Sequence, residues 1–314
     1  MAGPTRAGSH PDYSSSGTAG FIPEIWSGKL VEKLYASTCF GEIANTDYEG
    51  EIKNQGDTVQ IRTVPNITIR DYQIGGGLTY EKPTSGKVEL QIDKAKYFAF
   101  EVNDIDRYQA DIKLMDEFSD DGGEQMKIAI DTDILARHYA DVHADNAGAT
   151  AGAKSDAINL GVAGTPVAVS KTNVLDLIVD CGTVLDEQNV PETNRWIILP
   201  AWMGGMLKKS DLKDASIMGD SVSVFRNGKL GQLDRFTVYL SNNLSVVNDV
   251  AAGNKKCTNV MFGHKKALTF ASQMTQMETL KNPSDFGNLV RGLNVYGSKV
   301  IDPKAIGHLY ATRG

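Results

Sequence analysis

The sequence predicts an α+β protein, and three patterns predict it. Apolar residues alternate with polar ones between Asp57 and Val102, a helical stripe runs from Asp104 to about Ala144, and a helix–strand–helix unit follows a segment rich in Gly, Ala and Thr. Alternation turns one face of a strand inward, whereas a stripe near the helical period lays one helix face on a core.

The elements follow in chain order. Residues through Gly20 are mostly Gly, Ser, Thr, Ala and Pro, too poor in large aliphatics to offset the entropy of ordering, and are expected to form a mobile arm. They hold no apolar stretch behind a basic start, so no secretory signal is expected there. Pro23 opens a short amphipathic helix carrying Ile25, Trp26, Leu30, Val31 and Leu34. Val59 and Ile61, then Val88, Leu90, Ile92, Phe98, Phe100 and Val102, alternate with polar residues as the two strands of a long hairpin. Pro65, Gly75, Gly76, Gly77, Pro83 and Gly86 give its distal part turn-forming freedom. An isolated two-stranded hairpin is marginal in water, so a neighbouring subunit is expected to cover it.

From Asp104 to about Ala144, Ile112, Met115, Phe118, Ile128, Leu135, Tyr139 and Val142 supply the buried stripe of a helix, with a bend or break expected at Gly122-Gly123. Asp145 to Val169 reads as a loop or linker between structural units. Ser170 or Thr172 can cap the next helix, whose inner face holds Val174, Leu175, Ile178, Cys181 and Leu185. Trp196 to Leu199 is a short, wholly apolar strand ended by Pro200, and a helical segment runs on to Leu207. Asn227-Gly228 signals a hairpin, with Phe236, Val238 and Leu240 in alternation after it. Strands are expected around Leu268 to Met277 and Leu293 to Val300, and a helix at Ser284 to Leu289.

Composition narrows the function. The chain has 314 residues with 39 acidic against 32 basic side chains, a net charge of −7. That balance, with no Lys/Arg cluster, argues against a protein that works by gripping nucleic acid through a basic face. The longest nearly unbroken apolar run, Trp196 to Leu207, is well short of the ~20 residues of a spanning helix, so no membrane partner is expected. Cys39, Cys181 and Cys257 are odd in number and widely spaced, which fits a reducing compartment.

Catalytic signatures are missing: no phosphate loop, HExxH, nucleophile elbow or dinucleotide fingerprint is present. The separation of His138 and His143 does not place two ligands on one helix face, and Asp141 with Asp145 reads as a solvated polar face. Asp131 and Asp133 resemble a calcium loop only superficially, because its glycine and closing Glu are missing. Met203, Met206, Met274 and Met277 read as core filling, and Lys208-Lys209 as solvated surface. No enzymatic activity, cofactor or metal is expected.

One segment points further. Phe225-Arg226-Asn227-Gly228-Lys229-Leu230-Gly231-Gln232-Leu233-Asp234-Arg235-Phe236-Thr237-Val238-Tyr239-Leu240-Ser241-Asn242-Asn243-Leu244 resembles a signature of tailed-bacteriophage major capsid proteins of the Hong Kong 97-like fold. Arg195-Trp196-Ile197-Ile198-Leu199-Pro200 resembles their buried apical strand, and Val290-Arg291-Gly292-Leu293-Asn294-Val295-Tyr296-Gly297 is a third anchor near the end. The resemblance covers almost the whole chain. It implies an N-terminal arm and short helix in 1–50, an extended β-hairpin called the E-loop in 51–102, and a peripheral domain with a long spine helix in 103–168. A mixed α/β apical domain would take 169–259, with 260–314 returning to both domains.

The function so implied is mechanical. Copies would assemble through hexamers and pentamers into an icosahedral shell around double-stranded DNA held without sequence-specific binding. The shell would form in the host cytoplasm and end in the virion, with a scaffolding protein, a portal and a decoration protein as partners. Candidate intersubunit contacts are Trp26, Tyr72, Gly75, Gly76, Gly77, Tyr80, Lys82 and Pro83, with Phe98 as a further aromatic and the loops near Lys208 to Asp220 at ring centres. Lys82 or Lys87 would be the lysine of any covalent crosslink to a neighbour. Two other readings stay open: an encapsulin-type compartment enclosing enzymes, and a soluble α/β enzyme with a concave polar site.

Overall fold

The computed structural model describes residues 36–47, 58–65, 67–103, 114–210, 231–283 and 285–314. The expected N-terminal arm, the helix bearing Trp26, the Asn227-Gly228 hairpin and most of the expected ring-centre loop lie outside the described residues. The central layer is a mixed seven-stranded sheet. Its strands are β4 (Val167–Val169), β5 (Arg195–Leu199), β6 (Gln232–Leu233), β7 (Phe236–Leu240), β8 (Val246–Asp249), β9 (Lys255–His264) and β12 (Ile306–Arg313). They lie in the order β4-β12-β9-β5-β7-β6, with β8 pairing onto β9. Strand β5 sits between parallel β7 and antiparallel β9, and all five of its residues are buried. A strand covered on both faces reads as an unbroken apolar run, which is why Trp196 to Leu199 shows no alternation.

A helix covers each face. Ile197 and Leu199 share a core with Val174, Ile178, Cys181 and Leu185 of α3 (Val174–Glu187) and with Met203 and Leu207 of α4 (Ala201–Lys209). Trp196 and Ile198 turn the other way, toward Ile130, Ile134 and Leu135 of α2 (Leu114–Arg137) and Ile43 of α1 (Phe40–Ile43). Neither Ser170 nor Thr172 caps α3: Asn173 holds that position, and its Oδ1 accepts from the Ser170 N–H at 2.7 Å. The Gly/Ala/Thr-rich stretch before it is irregular, yet it sends Ala151 and Leu160 into the first core.

A second sheet of three antiparallel strands runs β10 (Leu268–Lys281), β11 (Gly287–Val300), β3 (Lys94–Asn103). The alternation predicts β3 as the continuation of the long hairpin's second strand; instead β3 pairs with β11 along its whole length, from Asn103↔Gly287 to Lys94↔Tyr296. The hairpin proper is shorter, β1 (Thr58–Arg62) against β2 (Lys87–Gln91), because Ile92 and Asp93 break the strand. The helix expected at 284–289 is likewise replaced by the start of β11, whose pairing on both sides outweighs local preference. Met277 is exposed on this sheet, not core, whereas Met203 is fully buried.

The glycine pair does not break α2, which continues through Gly122-Gly123. Gly122 is a contact surface: a Cβ there would meet the Phe98 ring at 3.0 Å. Phe98 lies parallel to Phe100, and Phe100 meets Phe118 of α2 edge-on at 5.8 Å. The helix stops earlier than its stripe suggests, at Arg137, and passes into a 3-10 turn at His138–Ala140.

Asp131 is fully buried on the apolar face of α2. Its Oδ1 accepts from the backbone N–H groups of Cys39 (3.0 Å) and Phe40 (2.9 Å), and its Oδ2 accepts from Asn243 Nδ2 at 2.8 Å. Burial, with the carboxylate beside it, pushes the Cys39 thiol well above its usual range. Replacing Asp131 by Ala strands three buried donors, so Asp131→Ala should cost about 3 kcal/mol and Asp131→Asn less, because its carbonyl still accepts; urea unfolding measures both.

Buried histidines make the fold acid-sensitive. His308 Nε2–H donates to Asn259 Oδ1 over 2.9 Å, and the ring packs on Tyr139 and has its pKa lowered by burial from 6.5 to about 4. Burial also lowers His138 and His264. A depressed histidine pKa means the unfolded chain binds the proton more tightly. The contribution of His308 is therefore complete above pH 6.5 and lost as the pH falls toward 4. Unfolding free energies at pH 7 and pH 4 should differ by up to about 3 kcal/mol from this residue, and His308→Gln should remove that part of the slope.

Candidate functional site

Between β1 and β2 the chain runs out into an arm and back. Few contacts of its own shape it. Thr63 N–H donates to Gly86 O (3.0 Å), Ser85 Oγ–H to Thr63 O (2.7 Å) and Thr68 N–H to Glu81 Oε1 (2.7 Å). At the far end Gly76 N–H closes a turn onto Gln73 O at 3.1 Å. Gly75 there has φ +84°, a conformation that favours glycine.

On this arm Val64, Ile67, Ile69, Tyr72, Ile74, Leu78 and Tyr80 are between 64% and 96% exposed. Single exposed apolar residues are ordinary, but seven on one projecting segment make an apolar surface of unusual extent. Tyr72 and Tyr80 lie on it, Gly75, Gly76 and Gly77 form its bend, and Lys82 and Pro83 are exposed on its return limb. Trp26 lies outside the described residues. Phe98 belongs elsewhere, packed inside the subunit between Gly122 and Gly292. Sequence reasoning missed the five aliphatics of the arm. They follow no period, and the available signal was their presence among turn-forming residues.

The arm stands on a small root. Ile61, Leu90, Ile92 and Ala271 form a separate buried cluster with Val59, Val88, Val295 and Ile301 around it. Gly297 of β11 meets the hairpin backbone directly, since a Cβ there would lie 2.2 Å from Gln91 O. Beyond this root no described residue covers the same outer face of the three-stranded sheet around Tyr97. Tyr97 is exposed on it, and Tyr97, Ala99, Gln276, Glu278, Arg291 and Leu293 line a hollow of about 380 Å³.

The polar groups elsewhere are tied into the fold. His138 Nδ1 meets Asp141 Oδ2 at 3.0 Å and its Nε2 meets Ser298 Oγ at 2.8 Å, while His143 Nδ1 accepts from the Asp145 N–H. Asp133, paired with Arg137, accepts from Tyr296 Oη at 2.8 Å. Among the described residues no group of three or more His, Cys, Asp or Glu is placed to hold a metal ion. No helix among them is long and apolar enough to cross a membrane.

Truncating the arm's side chains should leave the folded subunit intact, whereas truncating its root should not. Ile69→Ser is expected to change unfolding free energy by less than about 0.5 kcal/mol, and Leu90→Ala to cost about 2 to 5 kcal/mol, both read from urea unfolding of the unassembled subunit.

Known proteins share this architecture. A chain from Mycobacterium phage Che8 is 29% identical and superposes with a TM-score of 0.74, over 92% of this chain and 97% of that one. The capsid of cyanophage P-SCSP1u, at 15% identity, gives 0.69 over 95% and 96%. The mature capsid of bacteriophage PhiM1, at 14%, gives 0.65 over 96% and 99%. At identities this low the latter two show the α+β fold alone. No curated protein matches the sequence. The family profile described as phage capsid protein matches residues 87–309, well over half the chain, and it takes in β2, both sheets, α2 and all but the last residues of β12. A chain with this fold, this profile and an unsupported apolar arm belongs to the phage capsid protein family and is a major capsid protein, a building block of the shell.

Proposed function

We propose that the shell is the icosahedral head of a tailed bacteriophage, built from hexameric and pentameric rings with a Hong Kong 97-like arrangement of the chain. In that reading the arm between β1 and β2 is the E-loop, α2 is the spine helix of a peripheral domain, and the unit around β5, α3 and α4 is the apical domain facing ring centres. The observation that carries it is the arm. Seven apolar side chains held away from their own core have no role in a monomer, and each gains its burial only on a neighbour. Closed symmetry satisfies every copy at once, since each subunit both offers an arm and receives one.

The net charge of −7 suits a container for double-stranded DNA, which must enclose its contents without gripping them. A scaffolding protein during assembly in the host cytoplasm, a portal at one vertex and a decoration protein outside complete the proposal. The chain's own role is structural, with no chemical step assigned to any residue.

Placing charge on the arm tests this reading. Ile69→Asp combined with Tyr80→Asp should yield soluble, folded subunits with wild-type unfolding midpoints and no closed particles by electron microscopy of the coexpressed head proteins. Normal shells from the double variant would refute the arm's part in assembly.

A further inference from the structure

A cleft beside the hairpin root holds three side chains in line. His138 opens the 3-10 turn that follows α2, Asp141 comes three residues later, and Ser298 belongs to β11. The imidazole is buried, with Nδ1 3.0 Å from Asp141 Oδ2 and Nε2 2.8 Å from Ser298 Oγ. An ionised carboxylate only accepts, so Nδ1 carries the ring proton and Nε2 accepts from the serine hydroxyl. Burial, helped by Arg137 and Lys299, lowers the pKa of the ring against the pull of Asp141, which keeps it neutral and able to take a proton near neutral pH. Hydroxyl, imidazole and carboxylate in this order are recognised by geometry and roles, not by position in a chain.

The set opens onto accessible space. Ser298, half-buried, lines a polar chamber of about 290 Å³ with His138, Asp141, Arg137 and Lys299. The other charged groups on that chamber are Glu89 and Asp93. It shares Glu89, Gln91, Asp141 and Lys299 with a larger chamber of about 620 Å³, whose further wall includes Val88, Val300, Ile301 and Pro303. We propose that this cleft is an acyl-transfer site for carboxylic esters with a short apolar chain, with Ser298 as nucleophile, His138 as general base and Asp141 positioning the ring. Ser298 Oγ attacks the ester carbonyl carbon while His138 Nε2 takes its proton. The proton passes to the leaving alcohol as the ester C–O bond breaks, and water, deprotonated by the same ring, releases the acid and restores the serine. Arg137 and Lys299 border the chamber in which negative charge develops on the carbonyl oxygen, and the aliphatic wall accommodates the chain. The activity goes beyond the shell reading, which assigns no chemistry, and it resides in the single subunit.

Two probes test it on the full-length unassembled subunit. A tagged fluorophosphonate, from which Ser298 Oγ displaces fluoride, should label the chain at Ser298, as located by mass spectrometry, and p-nitrophenyl butyrate should be hydrolysed. Ser298→Ala should lose both, and His138→Gln should slow labelling roughly a hundredfold. Where the His138 variant fails to fold, the pH profile of the unmodified chain is the second measurement. Labelling should be level near neutrality and fall off in acid with a midpoint below 6.5, because burial holds His138 under that value. Asp141→Asn should slow labelling and move the midpoint lower still, since the carboxylate raises the pKa of the ring, whereas a merely structural loss would leave the midpoint in place. No label on Ser298, no ester hydrolysis beyond that of Ser298→Ala, or labelling that climbs steadily into alkali as an unassisted hydroxyl does, overturns the proposal.

Discussion

The buried carboxylate of Asp131 fixes the geometry on which the rest of the molecule depends. It joins three stretches far apart in sequence: the segment entering α1, the apolar face of α2, and the turn after β7 that carries Asn243. The two N–H groups it accepts belong to the unsatisfied start of a helix, where a carboxylate is most stabilising. Ile130, Ile134 and Leu135 flank it on the same helix face and close the second side of the central sheet. With that half of α2 locked, its other half is aimed outward, and Phe118 and Gly122 become the floor for Phe100 and Phe98. The three-stranded sheet is held by that floor, the hairpin root by the sheet, and the arm by the root.

Support weakens along this series. The central sheet has apolar cores on both faces, the three-stranded sheet has one covered face, and the root has four buried residues. The arm has only a few hydrogen bonds of its own. Such a gradient places the lowest local stability on the arm, where contact with another copy is proposed, and leaves the core able to hold its shape independently of it. Acid works against the same gradient from the inside. The depressed pKa of His308 comes from burial between β12 and the turn after α2, so protonation loosens the stable end first.

Much of this was legible in the residues. Buried β5, with α3 before it and α4 after, follows from an apolar run bounded by two helical stripes, and β10 and β11 from alternation. Period alone does not name a partner, however. The alternation of β3 continues that of β2 across Ile92 and Asp93, and only the pairing with β11 separates them. Gly122 misleads for a related reason: glycine breaks helices in water but also admits a ring at close range, and the sequence does not show Phe98 waiting there. Asp131 offers the sequence only a superficial likeness to a calcium loop, because its donors come from residues about a hundred positions away. On the arm, the tyrosines and the glycine bend were readable, whereas Val64, Ile67, Ile69, Ile74 and Leu78 follow no period and were passed over.

An arm so apolar invites indiscriminate aggregation, and its sequence contains the counterweight. Arg70, Asp71, Glu81 and Lys82 interrupt the aliphatics, Pro65 and Pro83 deny a partner chain continuous backbone pairing, and among the described residues no strand is assigned between Arg62 and Lys87. Attraction therefore resides in side chains alone and requires a receiving surface of matching shape. Burying one such residue is worth about 1.5 to 3 kcal/mol, but association and the ordering of a weakly held arm consume much of the total. A single contact between two subunits is then weak and reversible, so a misplaced copy can leave. In the proposed rings closure would change the arithmetic, because each subunit would be held by the arm it gives and the arm it takes, and release would require both to fail together.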